Sequence, residues 1–186
     1  MKKIALLALL ALPCGLWAAA ETRSLKGVTA PVSVDFEGKK LQLNGLGLRT
    51  KVVFKVYVGA LYLEKTSKDG LEIAASEQVK RIELTFLRGV DGADVAKAIA
   101  DGFANNAGDA LPAIKERIAK FETFIPDVKK GDKLAFTYRP GKGVDVESAG
   151  KVAGSIEGKD FGDALLRVWL GPRPSDKALK AGLLGL

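Results

Sequence analysis

Strand patterns dominate the chain between residues 28 and 86. Apolar and polar side chains alternate over 28–36, as in a half-buried strand. Residues 41–43 alternate again and lead into Asn44-Gly45, a dipeptide typical of turns. A dense run of β-branched and aromatic residues predicts a long strand over 52–63, and renewed alternation predicts another over 81–86.

The period of the pattern changes after Asp91. Apolar residues then recur every third or fourth position over 95–103 and over 111–121, which predicts two amphipathic helices. Strand patterns return at residues 133–138, 144–147 and 152–156. Two short helices follow, with Asp160 and Ser175 as the residues expected to cap them.

This order of elements predicts the fold class. Strands and helices come in blocks and do not alternate, so a doubly wound parallel sheet is disfavoured. We predict an α+β fold in which a large, mainly antiparallel sheet is covered by helices. Internal repeats and linker-like tracts are missing from the sequence, so we expect residues 21–186 to form one domain.

The first twenty residues have the pattern of a secretory signal peptide. Met1-Lys2-Lys3 is positively charged, an apolar run follows from Ile4 to Trp17, and Ala18-Ala19-Ala20 precedes Glu21. We predict export to the periplasm with cleavage after Ala20. The apolar run is too short to span a bilayer comfortably, so we expect no stable membrane insertion.

Composition excludes several kinds of chemistry. The sequence has no histidine, and its single cysteine, Cys14, lies inside the predicted signal peptide. Zinc sites built on His and Cys, Ser-His-Asp triads, Cys-His pairs and haem ligation by these residues therefore lack their parts. We predict no metal site and no cofactor, and acid–base chemistry would depend on Asp, Glu, Lys or Tyr.

The net charge of +7 falls to +5 without Lys2 and Lys3. The remaining lysines are scattered along the chain, as on a solvated basic surface, and nucleic acid is not expected as a partner of an exported protein.

Arg49 and Tyr57 are the candidate functional residues that the pattern itself provides. Gly45-Leu46-Gly47-Leu48-Arg49 lacks the third glycine of a dinucleotide-binding loop, so we interpret it as a tight turn. Arg49 then lies between apolar strands, either in a structural ion pair with an acidic residue or as the anchor of a carboxylate ligand. Tyr57 shares an otherwise apolar strand face with Lys55, which indicates one polar contact on that face.

Several segments together are similar to the chalcone isomerase-like family, in particular to its exported bacterial members. The resemblance rests on residues 45–49, 54–64, 82–88, 130–132, 160–161, 169–171 and 179–185, in the expected order. It implies an open-faced β-sandwich in which helices cover a large antiparallel sheet, with a cleft between the two layers.

The resemblance also implies a ligand site. The family includes plant enzymes that close a chalcone into a flavanone by intramolecular Michael addition, and relatives that bind fatty acids without catalysis. In both, an arginine after the Gly-x-Gly segment points into the cleft, and Arg49 matches it. The other ligand-binding positions that the resemblance implies are Tyr57, Lys97, Asp101 and Val168.

Most hydroxyl groups of the enzyme are missing at these positions, which argues against chalcone cyclisation. Tyr57 and Val168 stand where the enzyme has threonines, and Asp101 stands where it has an asparagine. Three hypotheses follow. The first is a non-catalytic periplasmic protein that binds a small amphipathic carboxylate, such as a fatty acid, through Arg49. The second is an isomerase or lyase acting on an enone, and the third is a ligand-free envelope interaction module in which Arg49 closes a salt bridge.

Overall fold

A computed structural model describes residues 21–186. The predicted signal peptide and its cleavage after Ala20 lie outside the described residues. The strands are β1 (Thr22–Leu25), β2 (Val28–Pro31), β3 (Ser33–Phe36), β4 (Lys39–Lys51), β5 (Phe54–Leu63), β6 (Lys80–Phe86), β7 (Lys133–Arg139), β8 (Gly143–Ser148) and β9 (Lys151–Glu157). The helices are α1 (Gly70–Ala75), α2 (Gly92–Asn106), α3 (Leu111–Glu122), α4 (Lys159–Leu170) and α5 (Lys177–Leu183), with a 3₁₀ turn at Gly108–Ala110.

Seven strands form one antiparallel sheet in the order β3-β4-β5-β6-β7-β8-β9, so every strand lies beside its neighbour in the chain. Strands β1 and β2 form a separate two-stranded sheet. Helices α2, α3 and α4 bury one face of the large sheet in the main hydrophobic core. The predicted α+β fold with a large antiparallel sheet covered by helices is confirmed.

A cluster of aromatic rings joins these helices to the sheet. Phe103 of α2 lies against Phe121 of α3 and Phe161 of α4, with ring centroids 6.2 and 5.3 Å apart. Phe136 of β7 packs on Phe121 at 5.5 Å and stacks on Trp169 of α4 at 5.7 Å. Such ring pairs add to the stability that area burial provides. They fix the position of α4, which carries Trp169 and Val168.

The turn prediction at Asn44-Gly45 is wrong. Strand β4 runs through this segment from Lys39 to Lys51, with a bulge between Leu43 and Gly45. Gly45 and Gly47 are needed there for close packing of α5, because a methyl group on either would collide with backbone carbonyl oxygens of α5. The glycines therefore serve helix-on-strand packing and not a positive φ.

Four other boundaries differ from the sequence predictions. Helix α4 begins at Lys159 with Gly158 as its cap residue, so Asp160, which was expected to cap it, lies in its first turn. The alternation over 28–36 covers two strands, β2 and β3, which belong to different sheets. Val52 and Val53 form the turn between β4 and β5, so the long strand begins only at Phe54. The cap of α5 is Asp176, not Ser175: its carboxylate accepts hydrogen bonds from the backbone N–H of Ala178 and Leu179.

Among residues 21–186, no helix combines the length and the apolar character needed to cross a membrane.

Candidate functional site

A cavity of about 390 Å³ lies between the sheet and helices α2 and α4, next to the turn that joins β4 to β5. Its volume falls within the usual range of ligand pockets, about 300–1,000 Å³. Its lining includes Arg49, Lys51, Phe54, Val56, Tyr57, Leu84, Phe86, Arg88, Asp91, Asp94, Val95, Ala98, Ile99, Val168 and Trp169.

Strand register brings the two candidate polar residues together. Arg49 on β4 lies directly opposite Tyr57 on β5, and Tyr57 lies opposite Phe86 on β6. Residues opposite one another in antiparallel strands share a face of the sheet, so the three side chains form a row beneath the helices. The rings of Tyr57 and Phe86 meet edge to face at 5.6 Å. The row has a cation at one end and an apolar ring at the other.

Arg49 is held by one of its three nitrogen atoms. Its Nη1 donates to the carbonyl oxygen of Thr50 at 2.8 Å and lies 3.5 Å from Oδ2 of Asp176. The side chain keeps 19% of its surface exposed beside the cavity. Within the described part of the chain, Nε and Nη2 make no hydrogen bond, so several N–H donors remain for a ligand.

Asp176 is already engaged by backbone donors. Its carboxylate accepts from the N–H of Thr50 at 3.0 Å, of Ala178 at 2.8 Å and of Leu179 at 3.0 Å. Burial raises the pKa of Asp176, but these hydrogen bonds and the charge of Arg49 outweigh it and hold the pKa below its usual value. Asp176 therefore stays ionised and fixes the position of Arg49 while making a long contact with it.

The Tyr57 hydroxyl has a defined orientation. It accepts a hydrogen bond from Nε1 of Trp169 at 3.0 Å, deep in the protein. Burial raises the pKa of Tyr57 to about 12, although the hydrogen bond from Trp169 and the charge of Arg49 act in the opposite direction. The hydroxyl therefore keeps its proton at physiological pH. That proton has no acceptor among the described residues and is available to a ligand oxygen on the cavity side.

The rest of the cavity wall is mostly apolar. The sheet contributes Val56, Leu84 and Phe86, and α2 contributes Val95, Ala98 and Ile99, which lie on one side of the helix. Helix α4 closes the far side with Val168 and Trp169. An apolar chain placed here would leave water, which stabilises the complex by about 0.8 kcal/mol for each buried methylene.

Charged residues of both signs line the exposed end of the cavity. The guanidinium of Arg88 lies over the ring of Phe54, 4.7 Å from its centroid. Lys51 is exposed on the same side, whereas Asp91 and Asp94 line the wall formed by the start of α2.

The structure brings three of the five predicted ligand-binding residues together: Arg49, Tyr57 and Val168 all line the cavity. It does not bring Lys97 and Asp101 there. These two form an i,i+4 ion pair at 3.1 Å on the solvent side of α2, with 72% and 62% of their side chains exposed. The resemblance matched their positions by spacing, which does not fix the rotation of the helix against the sheet. Lys55 is exposed as well.

The sequence did not indicate that Trp169 donates a hydrogen bond to the Tyr57 hydroxyl, and it did not indicate Asp176 as a residue of the site. Trp169 is a buried core residue, and it also orients the Tyr57 hydroxyl. Asp176 is 126 positions from its partner Thr50, and no pattern in the sequence joins the two. Its position just before an apolar helix pattern is typical of a helix N-cap, but the neighbouring Ser175 is an equally suitable cap residue.

Across the part of the chain that the structure covers, no group of three or more acidic residues is arranged to hold a metal ion.

Comparisons with known proteins agree with the fold. A family model described as chalcone isomerase-like matches residues 22–185. No curated protein sequence matches the chain. Among solved structures, the chain is similar to a fatty-acid binding protein from Arabidopsis thaliana, with 17% sequence identity and a TM-score of 0.74 over 88% of this chain and 96% of that one. At this identity the likeness concerns the fold.

Proposed function

The chain belongs to the chalcone isomerase-like family, and we propose that it binds a small apolar carboxylate of the fatty-acid type without chemical conversion. The observation that carries the proposal is the partly free guanidinium of Arg49 beside the protonated hydroxyl of Tyr57 at the polar side of an apolar cavity. The structurally similar plant protein, whose name records fatty-acid binding, supports the same class of ligand.

The carboxylate would lie between Arg49 and Tyr57. A guanidinium and a hydroxyl are both donors, so together they complement an acceptor-only carboxylate. Hydrogen bonds to charged groups are shorter and stronger than neutral ones, and they gain further strength away from water. Asp176 stays ionised and offsets part of the charge of Arg49, but it lies 3.5 Å from Nη1 alone, so the N–H donors on Nε and Nη2 remain for the ligand.

The tail would run along the apolar wall between β5, β6 and α2. This position uses the side chains that already line the cavity, with Trp169 and Val168 at the closed side. The proposed place of action is the periplasm, supported by the signal-peptide pattern of residues 1–20.

Replacement of Arg49 by methionine tests the proposal. Methionine keeps most of the apolar volume and removes the charge. We expect Arg49→Met to weaken palmitate binding by about 10- to 100-fold, the loss of one or two charge-assisted hydrogen bonds. Binding of methyl palmitate, which carries no charge, should change little. Displacement of a fluorescent apolar reporter from the purified protein measures both affinities.

Arg88→Met is the matched control, because Arg88 also lines the cavity but lies at its exposed end. It should leave the preference for acid over ester nearly intact. Equal loss of palmitate binding in both variants would contradict the anchoring role of Arg49. Turnover of a chalcone that Arg49→Met abolishes would contradict a non-catalytic function.

A further inference from the structure

The turn between β4 and β5 is an exposed apolar tip, made of Val52, Val53 and Phe54. Their side chains are 89%, 77% and 56% exposed. Other large apolar residues with high exposure, such as Leu71 and Val152, lie singly elsewhere on the described surface. Isolated exposed apolar residues are ordinary, but three in succession at a protruding turn form a patch.

The backbone of the tip is unusual for its sequence. Lys51 pairs with Phe54, so Val52 and Val53 are the two central residues of the hairpin turn. Val52 has a φ of 57°, in the left-handed region that β-branched residues rarely adopt. Val53 does not share this positive φ, and two-residue hairpin turns in which only the first central residue has it normally carry glycine there. A valine at this position lowers stability through its φ and gains almost nothing from burial, so its presence points to a role outside the fold.

Three cations flank the apolar tip, while the two carboxylates of the adjoining cavity, those of Asp91 and Asp94, lie at the start of α2. Lys51 and Lys55 flank the tip in the chain, and Arg88 lies against Phe54. All three are exposed, and none forms an ion pair with a carboxylate in the described region. Apolar residues that protrude from a ring of unpaired cations complement a surface with negative headgroups above an apolar interior.

The tip is continuous with the cavity. Phe54 belongs to both, and its neighbours Lys51 and Arg88 also line the cavity, so the exposed end of the cavity opens beside the tip. A bilayer in contact with the tip would therefore lie against the cavity mouth.

We propose that the β4–β5 tip docks on the surface of an anionic lipid bilayer, with Val52 and Val53 inserted at the boundary of headgroups and acyl chains. Lys51, Lys55 and Arg88 contact lipid phosphates. This docking is peripheral and leaves the fold unchanged. It is an interaction separate from the proposed ligand site and does not require a fatty acid in the cavity.

Vesicle sedimentation tests the docking. The protein is purified in its exported form, with its N-terminus verified by mass spectrometry, and mixed with vesicles of equimolar phosphatidylglycerol and phosphatidylcholine. The expected result is binding that falls with added salt and is weak on phosphatidylcholine alone. The double variant Val52→Ser/Val53→Ser should bind at least about tenfold more weakly, because two inserted apolar side chains are lost.

The matched control is Leu71→Ser/Val152→Ser, which removes exposed apolar side chains away from the tip. It should bind vesicles like the unmodified protein. Charge is tested by Lys55→Glu against Lys115→Glu, which is exposed on α3. The first should weaken vesicle binding by about tenfold or more and the second far less.

Equal vesicle binding by the tip and control variants would overturn the proposal. So would a dimer that forms without lipid and disappears in Val52→Ser/Val53→Ser, because the tip would then contact a second copy of the chain. Neither Val52 nor Val53 lines the cavity. Palmitate binding in solution should therefore survive in this variant, which separates a failure of docking from a failure of the proposed function.

Discussion

Two cations below the surface, Lys80 and Arg49, have different surroundings. Lys80 is fully buried, and its Nζ donates to the carbonyl oxygens of Ala74 at 2.6 Å and Ser76 at 2.9 Å. It also lies 4.3 Å from the ring centroid of Tyr138. Two of its three N–H groups bind carbonyl oxygens at the end of α1, the carboxylate of Asp163 lies 3.7 Å from Nζ, and none of its surface is accessible to a ligand. Arg49, in contrast, has N–H groups without a hydrogen-bond partner beside the cavity. Of the two cations, only Arg49 is therefore placed to bind a ligand.

The burial of Lys80 predicts a pH dependence of stability. Burial lowers the pKa of Lys80 from 10.5 to about 8, despite the charge of Asp163 nearby. Between these values the unfolded chain holds a proton that the folded protein has lost, so the free energy of unfolding should rise from pH 8 towards pH 10, by on the order of 2 kcal/mol. Burial also raises the pKa of Tyr57, Tyr62 and Tyr138 to about 12. The free energy of unfolding should therefore fall above pH 10.

Urea unfolding of the unmodified protein and of Lys80→Met at several pH values checks this dependence. The variant is expected to be less stable at pH 7, because two carbonyl groups lose their donor. Its free energy of unfolding should not increase as the pH is raised from 8 to 10. If the free energy of unfolding changed with pH in the same way for the two proteins, the role given to Lys80 would be contradicted.

At the scale of elements, the contact of α5 with β4 sets the geometry of the site. Gly45 and Gly47 let the backbone of α5 approach the strand, and Gly182 of α5 lies against the carbonyl oxygen of Leu46 in return. This approach places Asp176, the cap of α5, next to Thr50 and Arg49. Without it, Arg49 would keep only its hydrogen bond to the Thr50 carbonyl oxygen and would lose the contact with Asp176.

Gly47→Ala should therefore lower the free energy of unfolding by about 1–3 kcal/mol, the usual cost of overpacking, because its methyl group would collide with the Leu179 carbonyl oxygen. Palmitate affinity should fall as well. Gly89→Ala is the control, since the nearest atom to its added methyl would be the Val128 carbonyl oxygen at 3.5 Å, an ordinary contact. Chemical unfolding measures the free energy of unfolding of both variants, and displacement of the fluorescent reporter measures their palmitate affinity. Equal stability of the two variants would show that the close approach of α5 is not required.

The same elements show what the sequence could predict. The order of strands and helices and their periodicity were sufficient for the class of the sheet, for strands β5 to β9 and for helices α2, α3 and α4. They did not indicate β1 or α1. The Gly-x-Gly segment was misjudged as a turn, because a glycine required by a distant helix looks the same in the sequence as a glycine required by a turn. Arg49 and Tyr57 were found as single residues. Their pairing needed the register of β4 on β5, which alternation alone does not provide.

At the scale of the whole molecule, the exposed end of the cavity and the β4–β5 tip lie at the same end of the domain. Helices α2 and α4 close the cavity over the sheet, while the end near Phe54 and Arg88 remains exposed. A carboxylate at Arg49 would therefore lie beneath the helices with its tail directed along the apolar wall. Docking of the tip on a bilayer would let an acyl chain pass between membrane and cavity with little exposure to water.

The central claim is that Arg49 holds a ligand carboxylate inside an apolar cavity. NMR titration of bound palmitate labelled with ¹³C at its carboxyl carbon tests it most directly. A nearby cation favours the ionised form, whereas an apolar cavity without one favours the neutral acid. The bound carboxyl in the unmodified protein should thus titrate at a clearly lower pH than in Arg49→Met, at ligand concentrations that saturate both. Identical titration midpoints in the two proteins would contradict the account.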